Sequence, residues 1–197
     1  MSDLQNRGTV KVENGRYRVS GHFHYIYPND PIRNEAGDLV GVTNPRDVTH
    51  IHTYGGEAPF FEGLSQGKLL GTKCVNPACE AHDSVYLPFR IHCMDCLERN
   101  EIVDLTETAK TTAKVHTFMI TERTGAFNTL PKPIRFVNVE FAGVSTILMG
   151  NLAVGDPAIG MQVVPIFQKA KPTYTILDLA WVPAGTAASD LPEGFSF

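Results

Sequence analysis

Residues 74–96 read Cys-Val-Asn-Pro-Ala-Cys-Glu-Ala-His-Asp-Ser-Val-Tyr-Leu-Pro-Phe-Arg-Ile-His-Cys-Met-Asp-Cys, and this stretch holds every cysteine of the chain. The four thiols follow the spacing Cys-x4-Cys-x13-Cys-x2-Cys. Two pairs of thiolates, each on a tight turn, can direct four sulfur atoms at one ion, and zinc takes four thiolates in a tetrahedron. The spacing therefore predicts a zinc ribbon with one structural zinc ion per chain, whose ligands are Cys74, Cys79, Cys93 and Cys96.

A closed shell of four thiolates has no position for water or substrate, so the predicted zinc shapes the protein and takes no part in a reaction. Thiolate sets also bind iron, and an iron centre or a degenerate site without metal stays open as an alternative. The sequence contains no Gly-x-Ser-x-Gly elbow, no Gly-x-x-x-x-Gly-Lys loop and no cysteine outside the ribbon. It therefore shows no recognisable catalytic nucleophile.

The segment before the cysteines has the pattern of a short amphipathic helix. A proline stands where the helix can begin, three large apolar residues share one face, and a glycine stands at its end. These residues are Pro59, then Phe60, Phe61 and Leu64, then Gly67. We expect residues 58–110 to form this helix followed by the ribbon. The apolar face either packs between ribbon and barrel or is covered by a partner.

The segment after the cysteines is dense in β-branched and aromatic residues and is punctuated by glycine and proline, which predicts strands separated by turns. Five strands are predicted, at Lys114–Glu122, Ile134–Phe141, Val144–Leu152, Met161–Phe167 and Tyr174–Trp181. Five strands in so short a segment favour a small closed barrel, and we expect residues 111–182 to form an OB-fold. An SH3-like barrel or half of a sandwich is the alternative. Residues 183–197 show no periodicity and are predicted to be a flexible tail.

The first 57 residues carry two turn signals. Asn14-Gly15 lies between alternating apolar and polar residues over 10–19, which predicts a β-hairpin with a type I′ turn. Residues 28–47 are rich in Pro, Asn and Asp around a second turn at 34–38, and we interpret them as loop. Residues 1–57 are therefore predicted to be a β-rich N-terminal extension, and the whole protein to be mainly β.

Charge and hydropathy limit the classes of partner. Seventeen Lys and Arg against 21 Asp and Glu give a net charge of −4, and no segment has a clear positive excess. Because nucleic-acid affinity depends mainly on cations that neutralise phosphates, general nucleic-acid binding is disfavoured. No apolar run approaches the roughly 20 residues that span a bilayer, and the N-terminus lacks the apolar stretch of a secretion signal. We expect a cytoplasmic protein without a membrane segment.

Two histidine pairs have the i, i+2 spacing that places two imidazoles on one face of a strand. They are His22 with His24 and His50 with His52. A second metal could use this arrangement, but neither pair has a matched third ligand nearby in the sequence. The favoured interpretation is a partly exposed strand surface.

Four motifs, in this order, resemble one family. They are Pro59-Phe60-Phe61-Glu62-Gly63-Leu64, Gly67-Lys68-Leu69-Leu70, the cysteine pairs flanking Pro88-Phe89-Arg90, and Ile159-Gly160-Met161-Gln162-Val163. The pattern is similar to that of the zinc-ribbon/OB-fold proteins associated with acyl-CoA metabolism, which accompany thiolases and related condensing enzymes. The chain differs from the family's pattern at Phe61, where the family has Trp, and at Phe89, where it has Pro.

The resemblance implies a non-catalytic subunit in a hetero-oligomer with a thiolase-type enzyme, which performs the Claisen chemistry while this chain shapes the acyl-CoA site. One reaction of such complexes, in anaerobic toluene degradation, is cleavage of benzoylsuccinyl-CoA with CoA to benzoyl-CoA and succinyl-CoA. Binding of coenzyme A requires cations near the ribbon for its phosphates, and the candidates are Arg90 and Lys73. Arg90 is the stronger candidate, because it occupies the family's Arg position. Arg99 is a further cation, and Tyr86 or Phe89 could stack on the adenine ring.

Two other functions remain as alternatives. A free-standing module that binds single-stranded nucleic acid is compatible with a zinc ribbon and an OB-fold, which both use aromatic platforms and basic grooves. The weakness of this alternative is that no segment of the chain has a clear excess of positive charge. An independent enzyme built on the histidine pairs lacks a coherent acid–base or metal set.

Overall fold

The computed structural model describes residues 8–123 and 129–197. The chain divides into two compact units, Met1–Thr53 and Tyr54–Phe197. The first unit contains strands β1 (Thr9–Glu13), β2 (Arg16–Ser20), β3 (His24–Ile26), β4 (Pro31–Arg33), β5 (Leu39–Val42) and β6 (Arg46–Val48). Within the described ranges, no helix is long and apolar enough to cross a membrane.

The second unit begins with helix α1 (Ala58–Ser65), strands β7 (Leu70–Lys73), β8 (Val85–Tyr86) and β9 (Glu101–Asp104), and helix α2 (Thr106–Thr112). It continues with strands β10 (Lys114–Thr121), β11 (Ile134–Glu140), β12 (Leu148–Asn151), β13 (Val163–Gln168), β14 (Leu179–Pro183) and β15 (Phe195–Ser196). The protein is therefore mainly β, as predicted.

The first unit consists of three two-stranded antiparallel ribbons. Strand β1 pairs with β2 across the Asn14-Gly15 turn, whose residues have φ angles of 52° and 71°, and the predicted hairpin is confirmed. Strand β3 pairs with β6, and β4 pairs with β5 inside that pair. The interpretation of residues 28–47 as loop was wrong for β4, β5 and the start of β6, because β-branched and other apolar residues on both sides of the turn pair as strands. Residues 28–30 and 43–45 are loop.

Helix α1 begins with Pro59 in its first turn and is followed by Gly67, whose φ angle is 77°, so the predicted helix is confirmed. Its apolar face packs inside the chain, where Phe60 is 4% exposed and Leu64 is 0% exposed. Both belong to the core that α1 shares with the ribbon and the barrel strands. Of the two explanations for this face, the structure therefore favours intrachain packing.

The ribbon strands form a three-stranded sheet in the order β8-β7-β9. Helix α2 follows it and was not predicted. Its signal in the sequence is Asp104, because a short acidic side chain can accept the backbone N–H two residues further along and so favours a turn where a helix begins. Asp104 Oδ1 accepts hydrogen bonds from the backbone N–H of Thr106, at 2.9 Å, and from the Thr106 hydroxyl, at 2.5 Å.

The five barrel strands are β10 to β14, which pair as β10-β11-β12 and β14-β13. Isolated bridges join the two sheets, one antiparallel between Lys114 and Gln162 and one parallel between Leu152 and Trp181. The five strands therefore follow one another in the order β12-β11-β10-β13-β14. Single bridges, not full ladders, join β10 to β13 and β12 to β14. This is the arrangement of a five-stranded Greek-key OB-fold.

The strands match the predicted segments except at two of them. Residues 144–147 precede β12 as loop, so that strand begins only at Leu148, and residues 174–178 form no strand. Asp178 is fully buried, and its carboxylate accepts hydrogen bonds from the backbone N–H groups of Thr173 and Tyr174. These bonds favour a turn, so β14 begins only at Leu179. Strand β15 lies in the segment predicted as a flexible tail and pairs with β13.

Candidate metal centre

The four cysteine sulfurs meet at one point of the ribbon. Each Sγ lies within 4.8 Å of the other three. The Sγ atoms of Cys74 and Cys96 are 3.9 Å apart, and those of Cys79 and Cys93 are 3.8 Å apart. A tetrahedron of thiolates around zinc, with Zn–S bonds of about 2.3 Å, has edges of about 3.8 Å. The sulfur positions therefore fit a metal ion such as zinc, and all four predicted ligands are brought together.

The first cysteine pair is held in a loop between β7 and β8. The backbone N–H of Cys74 donates to Ser84 O at 3.1 Å, and the N–H of Asp83 donates to Cys74 O at 2.9 Å. Asp83 has a φ angle of 65°, which closes the loop back onto β7. The backbone N–H of Ala81 donates to Cys79 Sγ at 3.4 Å. The first pair has four residues between its cysteines and the second pair has two, yet both pairs place their sulfurs in the same cluster.

The second pair lies on a tighter turn. The backbone N–H of Cys93 donates to Glu98 O at 2.9 Å, and the N–H of Leu97 donates to Cys93 O at 3.1 Å. Leu97 has a φ angle of 62°. This geometry points the backbone N–H groups of Cys96 and Asp95 at the Cys93 sulfur.

The thiols differ in acidity because their surroundings differ. Hydrogen bonds from the backbone N–H groups of Cys96 and Asp95 lower the pKa of Cys93 to about 6. Burial raises the pKa of Cys79 to about 12 and also raises the pKa of Cys74. A thiolate at Cys93 is therefore ready to bind a cation at neutral pH, whereas Cys79 ionises only when the cation compensates for its burial.

Tyr86 completes the wall of the sulfur cluster and was not predicted in this role. Its ring is 7% exposed, and its hydroxyl lies 3.9 Å from Cys93 Sγ. The pKa of the Tyr86 phenol is raised, mainly by burial and secondarily by this contact with Cys93. Because the ring packs against the cysteines, it cannot also offer an open face to a ligand's adenine. Phe89, the other predicted stacking residue, is likewise 7% exposed and belongs to the main core.

Arg90 is fixed through its backbone on both sides. Its N–H donates to Thr72 Oγ1 at 3.2 Å, and its carbonyl accepts from Asn100 Nδ2 at 3.1 Å. Its guanidinium carbon lies 5.4 Å from the centre of the Tyr86 ring, within cation–π range. The sequence showed no role for Thr72 and Asn100, which are buried polar residues of the ribbon.

Lys73 lies beside Thr72 on β7, and its Nζ is 2.6 Å from Asp83 Oδ1. The hydrogen bond to Asp83 raises the pKa of Lys73, and the same bond lowers the pKa of the Asp83 carboxyl. The candidate cations Lys73 and Arg90 thus lie on neighbouring parts of the ribbon, but Lys73 already has a carboxylate partner. Arg99 is exposed and forms an isolated bridge with His92.

The ribbon is tied to the barrel by hydrogen bonds through the loop between β11 and β12. The Thr146 hydroxyl accepts from the N–H of Leu87 at 2.8 Å and donates to the Leu87 carbonyl at 2.7 Å. The N–H of Ser145 donates to Val85 O at 2.8 Å. These bonds and the shared core hold the sulfur cluster in a fixed position on the barrel.

The histidine pairs do not take part in this centre. The rings of His50 and His52 have centroids 6.1 Å apart. Among residues 8–123 and 129–197, the cysteines form the group of three or more possible ligands, and neither histidine pair belongs to such a group. All four histidines are exposed, and His24 begins β3, but His50 and His52 follow the end of β6 and lie outside any strand. The interpretation as strand surface was therefore wrong for the second pair.

Comparison with known proteins gives a match of fold. No protein-family model and no curated protein matches the sequence. A solved structure described as Ltp2-ChsH2(DUF35) aldolase matches with a TM-score of 0.52 and 24% identity, over 68% of this chain and 99% of that one. The chain has a DUF35 fold. A DUF35 protein of unknown function from Sulfolobus solfataricus matches with a TM-score of 0.46 and 22% identity, over 65% of this chain and 86% of that one.

The DUF35 fold accounts for about two thirds of this chain. The match uses 99% of the chain from the aldolase structure and leaves 32% of this chain outside it. The protein therefore has a portion that is additional to the shared fold.

Proposed function

We propose that this chain is the non-catalytic, zinc-binding subunit of a thiolase-type complex that forms or cleaves acyl-CoA thioesters. The observation that carries the proposal is the four-sulfur cluster fixed on a barrel with a DUF35 fold. The fold is similar to that of a structure described as Ltp2-ChsH2(DUF35) aldolase, whose description joins a DUF35 protein to a second component. The motifs of residues 59–163 support the same association.

Zinc is the metal we propose for Cys74, Cys79, Cys93 and Cys96, because the sulfur spacing and the set of four thiolates match its tetrahedral preference. Bound there, zinc supplies folding free energy to the ribbon and no open coordination position. The bond-breaking chemistry accordingly belongs to the partner.

Arg90 is the residue we propose to contact coenzyme A. Its backbone is fixed by Thr72 and Asn100, and its planar guanidinium can bind a phosphate with two parallel hydrogen bonds. Lys73 is the weaker candidate, because a phosphate must compete with Asp83 for its ammonium group. The acyl-CoA that best suits the resemblance is benzoylsuccinyl-CoA, cleaved with CoA to benzoyl-CoA and succinyl-CoA.

The test of the proposed function begins with purification of the tagged full chain from its native host and identification of any stoichiometric partner by mass spectrometry. We expect a condensing enzyme whose CoA-dependent cleavage of an acyl-CoA requires this chain. A chain that purifies without a condensing enzyme, or an enzyme with the same turnover in its absence, contradicts the proposal.

The role of Arg90 is tested on the reconstituted complex. We expect Arg90→Glu to raise the Kd for CoA at least about tenfold, because it replaces attraction for phosphate by repulsion. Lys171→Glu makes the same charge change at an exposed site outside the ribbon and serves as the control. Equal affinities of the two variants for CoA would remove Arg90 from the site.

A further inference from the structure

The ribbon of β1 and β2 has one apolar face that the described chain leaves open. Its register places Val10 opposite Val19 and Val12 opposite Tyr17, so these four side chains share a face. Val12, Tyr17 and Val19 are each 64% exposed. Strict alternation of apolar and polar residues is the pattern of a strand with one covered face. The pattern therefore predicts a cover for this face.

The other two ribbons of the first unit, β3 with β6 and β4 with β5, are also exposed. No residue between 8 and 53 is buried. The further exposed large apolar residues of the unit are Tyr25, Ile26, Ile32, Leu39, Val40, Val42, Val48 and Ile51. An isolated two-stranded ribbon is marginally stable in water, so three such ribbons without a core gain stability from an external surface. We call residues 8–53 the arm.

The composition of the arm fits a protein surface. It holds five Lys and Arg and five Asp and Glu, which favours neither a nucleic acid nor an anionic bilayer. Three of the chain's six tyrosines lie in it, and its cations are four arginines and one lysine. Tyrosine and arginine are enriched, and lysine is depleted, at protein interfaces. The exposed apolar side chains offer on the order of 1,000 Å², comparable with the roughly 800 Å² that each partner buries in a stable interface.

The distribution of these side chains favours a larger partner over a second copy of the chain. Neighbouring residues of a strand point to opposite faces. Tyr25 and Ile26 are consecutive and 52% and 55% exposed, and Leu39 and Val40 are consecutive and 63% and 62% exposed. Face-to-face packing of two copies about a two-fold axis covers one face of each ribbon. A larger partner, with a surface into which the ribbons extend, covers both faces of each ribbon.

We propose that the arm docks onto the catalytic subunit of the complex and attaches this chain to it. The inference rests on the proposed function, which supplies that subunit, and it assigns the attachment to residues outside the ribbon and barrel. The DUF35 match fits this division, because nearly the whole of the neighbour is matched by about two thirds of this chain.

The test compares two double variants of the full chain. Val12→Thr with Tyr17→Thr removes apolar surface from the open face, whereas Lys11→Thr with Arg18→Thr makes the same replacement at the adjacent register pair on the opposite face. Threonine is β-branched and therefore suits a strand at all four positions. The probe is the condensing enzyme identified by co-purification and then produced separately, and the readout is its Kd for each variant.

We expect the Val12→Thr, Tyr17→Thr variant to bind that enzyme at least about tenfold more weakly than the unchanged chain, because buried aromatic anchors dominate interface energies. The Lys11→Thr, Arg18→Thr variant should change the Kd less than about threefold, as expected for exposed charges. Circular dichroism and zinc content of both variants should equal those of the unchanged chain.

Three results overturn the inference. A complex whose affinity is insensitive to the Val12→Thr, Tyr17→Thr variant overturns the docking role of the arm and leaves the proposed function standing. A dimer of the purified chain that this variant dissociates assigns the face to a second copy. The absence of a condensing enzyme from the native purification overturns both proposals, which distinguishes that failure from the first.

Discussion

At the scale of single residues, the centre depends on sulfur atoms of unequal acidity. Backbone N–H groups lower the pKa of Cys93 to about 6, and burial raises the pKa of Cys79 to about 12. The same short turn that places the Cys93 sulfur also stabilises its negative charge. A cation makes the ionised form of the half-buried Cys79 favourable, so folding of the ribbon and metal binding are coupled.

Replacement of one ligand tests this coupling. We expect Cys93→Ser to lower bound zinc from about one ion per chain to near zero, because a hydroxyl is a poor substitute for a thiolate. The free energy of unfolding should fall by about 4 kcal/mol or more, as is typical when a structural metal is lost. Elemental analysis and thermal unfolding measure both effects. Met94→Ala, at a 65% exposed residue of the same knuckle, should retain the metal.

Zinc binding should release protons, and fewer than four of them. At pH 7.5 the Cys79 thiol is protonated and must lose its proton, whereas Cys93 is already a thiolate. The zinc affinity therefore rises with pH across the neutral range. Calorimetric titration of zinc into metal-free protein, in two buffers of different ionisation enthalpy, counts the protons. Release of four protons would show that the Cys93 turn is lost without metal.

At the scale of elements, hydrogen bonds from single side chains decide where helices and strands begin. Asp104 ends β9 and accepts hydrogen bonds from Thr106 at the start of α2, and Asp178 holds the turn before β14. In both cases the carboxylate accepts backbone N–H groups that regular structure leaves unpaired. The boundaries of the barrel therefore depend on residues that lie outside its strands.

The Asp104 carboxylate, which accepts hydrogen bonds from Thr106 at the start of α2, gives a pH-dependent prediction. Burial would raise the pKa of Asp104, but hydrogen bonds from Thr106 outweigh it and hold the pKa below its ordinary value. The stabilisation is thus complete above pH ~4 and is lost as the pH falls through the lowered pKa. Asp104→Ala should cost about 1 kcal/mol in urea unfolding at pH 7, and the cost should shrink as the pH falls below about 4. Glu101→Ala, on exposed β9, should show no such difference.

Strand β7 has no room for a larger residue at Gly71. A Cβ there would lie 2.5 Å from Leu105 Cδ1 and 2.9 Å from the carbonyl oxygen of Tyr86, which is fixed backbone. We expect Gly71→Ala to lower the free energy of unfolding by about 2 kcal/mol, the usual cost of overpacking. Gly41→Ala, where the nearest atom is 3.7 Å away, is the control and should be neutral. Chemical unfolding followed by far-UV circular dichroism, which reports the strands of both units, compares the two.

At the scale of the whole molecule, the two units differ in what stabilises them. Residues 54–197 share a continuous core that includes Phe60, Leu87, Phe167 and Trp181, all less than 9% exposed. The arm has ribbon hydrogen bonds but no buried side chain. Local opening is therefore much easier in the arm than in the second unit.

Limited proteolysis should reveal this difference. We expect trypsin to cut the purified chain first at arginines of the arm, such as Arg16, Arg18, Arg33 and Arg46, and to leave a resistant fragment that contains the ribbon and barrel. Mass spectrometry of a time course identifies the cuts. Equal rates of cleavage in both units would mean that the arm is as well protected as the core.

The local patterns of the sequence determined much of this protein. The four cysteines predicted their own cluster, Asn14-Gly15 predicted its hairpin, and Pro59 with Gly67 predicted the limits of α1. Each of these signals acts over a few residues, where turn geometry and capping dominate. The five barrel strands followed from composition for the same reason, apart from the boundary that Asp178 shifts and the start of β12, which lies at Leu148 and not at Val144.

What only the tertiary structure decided depends on residues far apart in the chain. The sequence left open whether Phe60 and Leu64 face a partner or the chain's own core, and long-range packing with the ribbon and barrel decided it. The sequence could not show that Thr72 and Asn100 fix the backbone of Arg90, or that Asp83 pairs with Lys73. These contacts form only when the ribbon folds. Burial is a property of the assembled chain, and no window of sequence contains it.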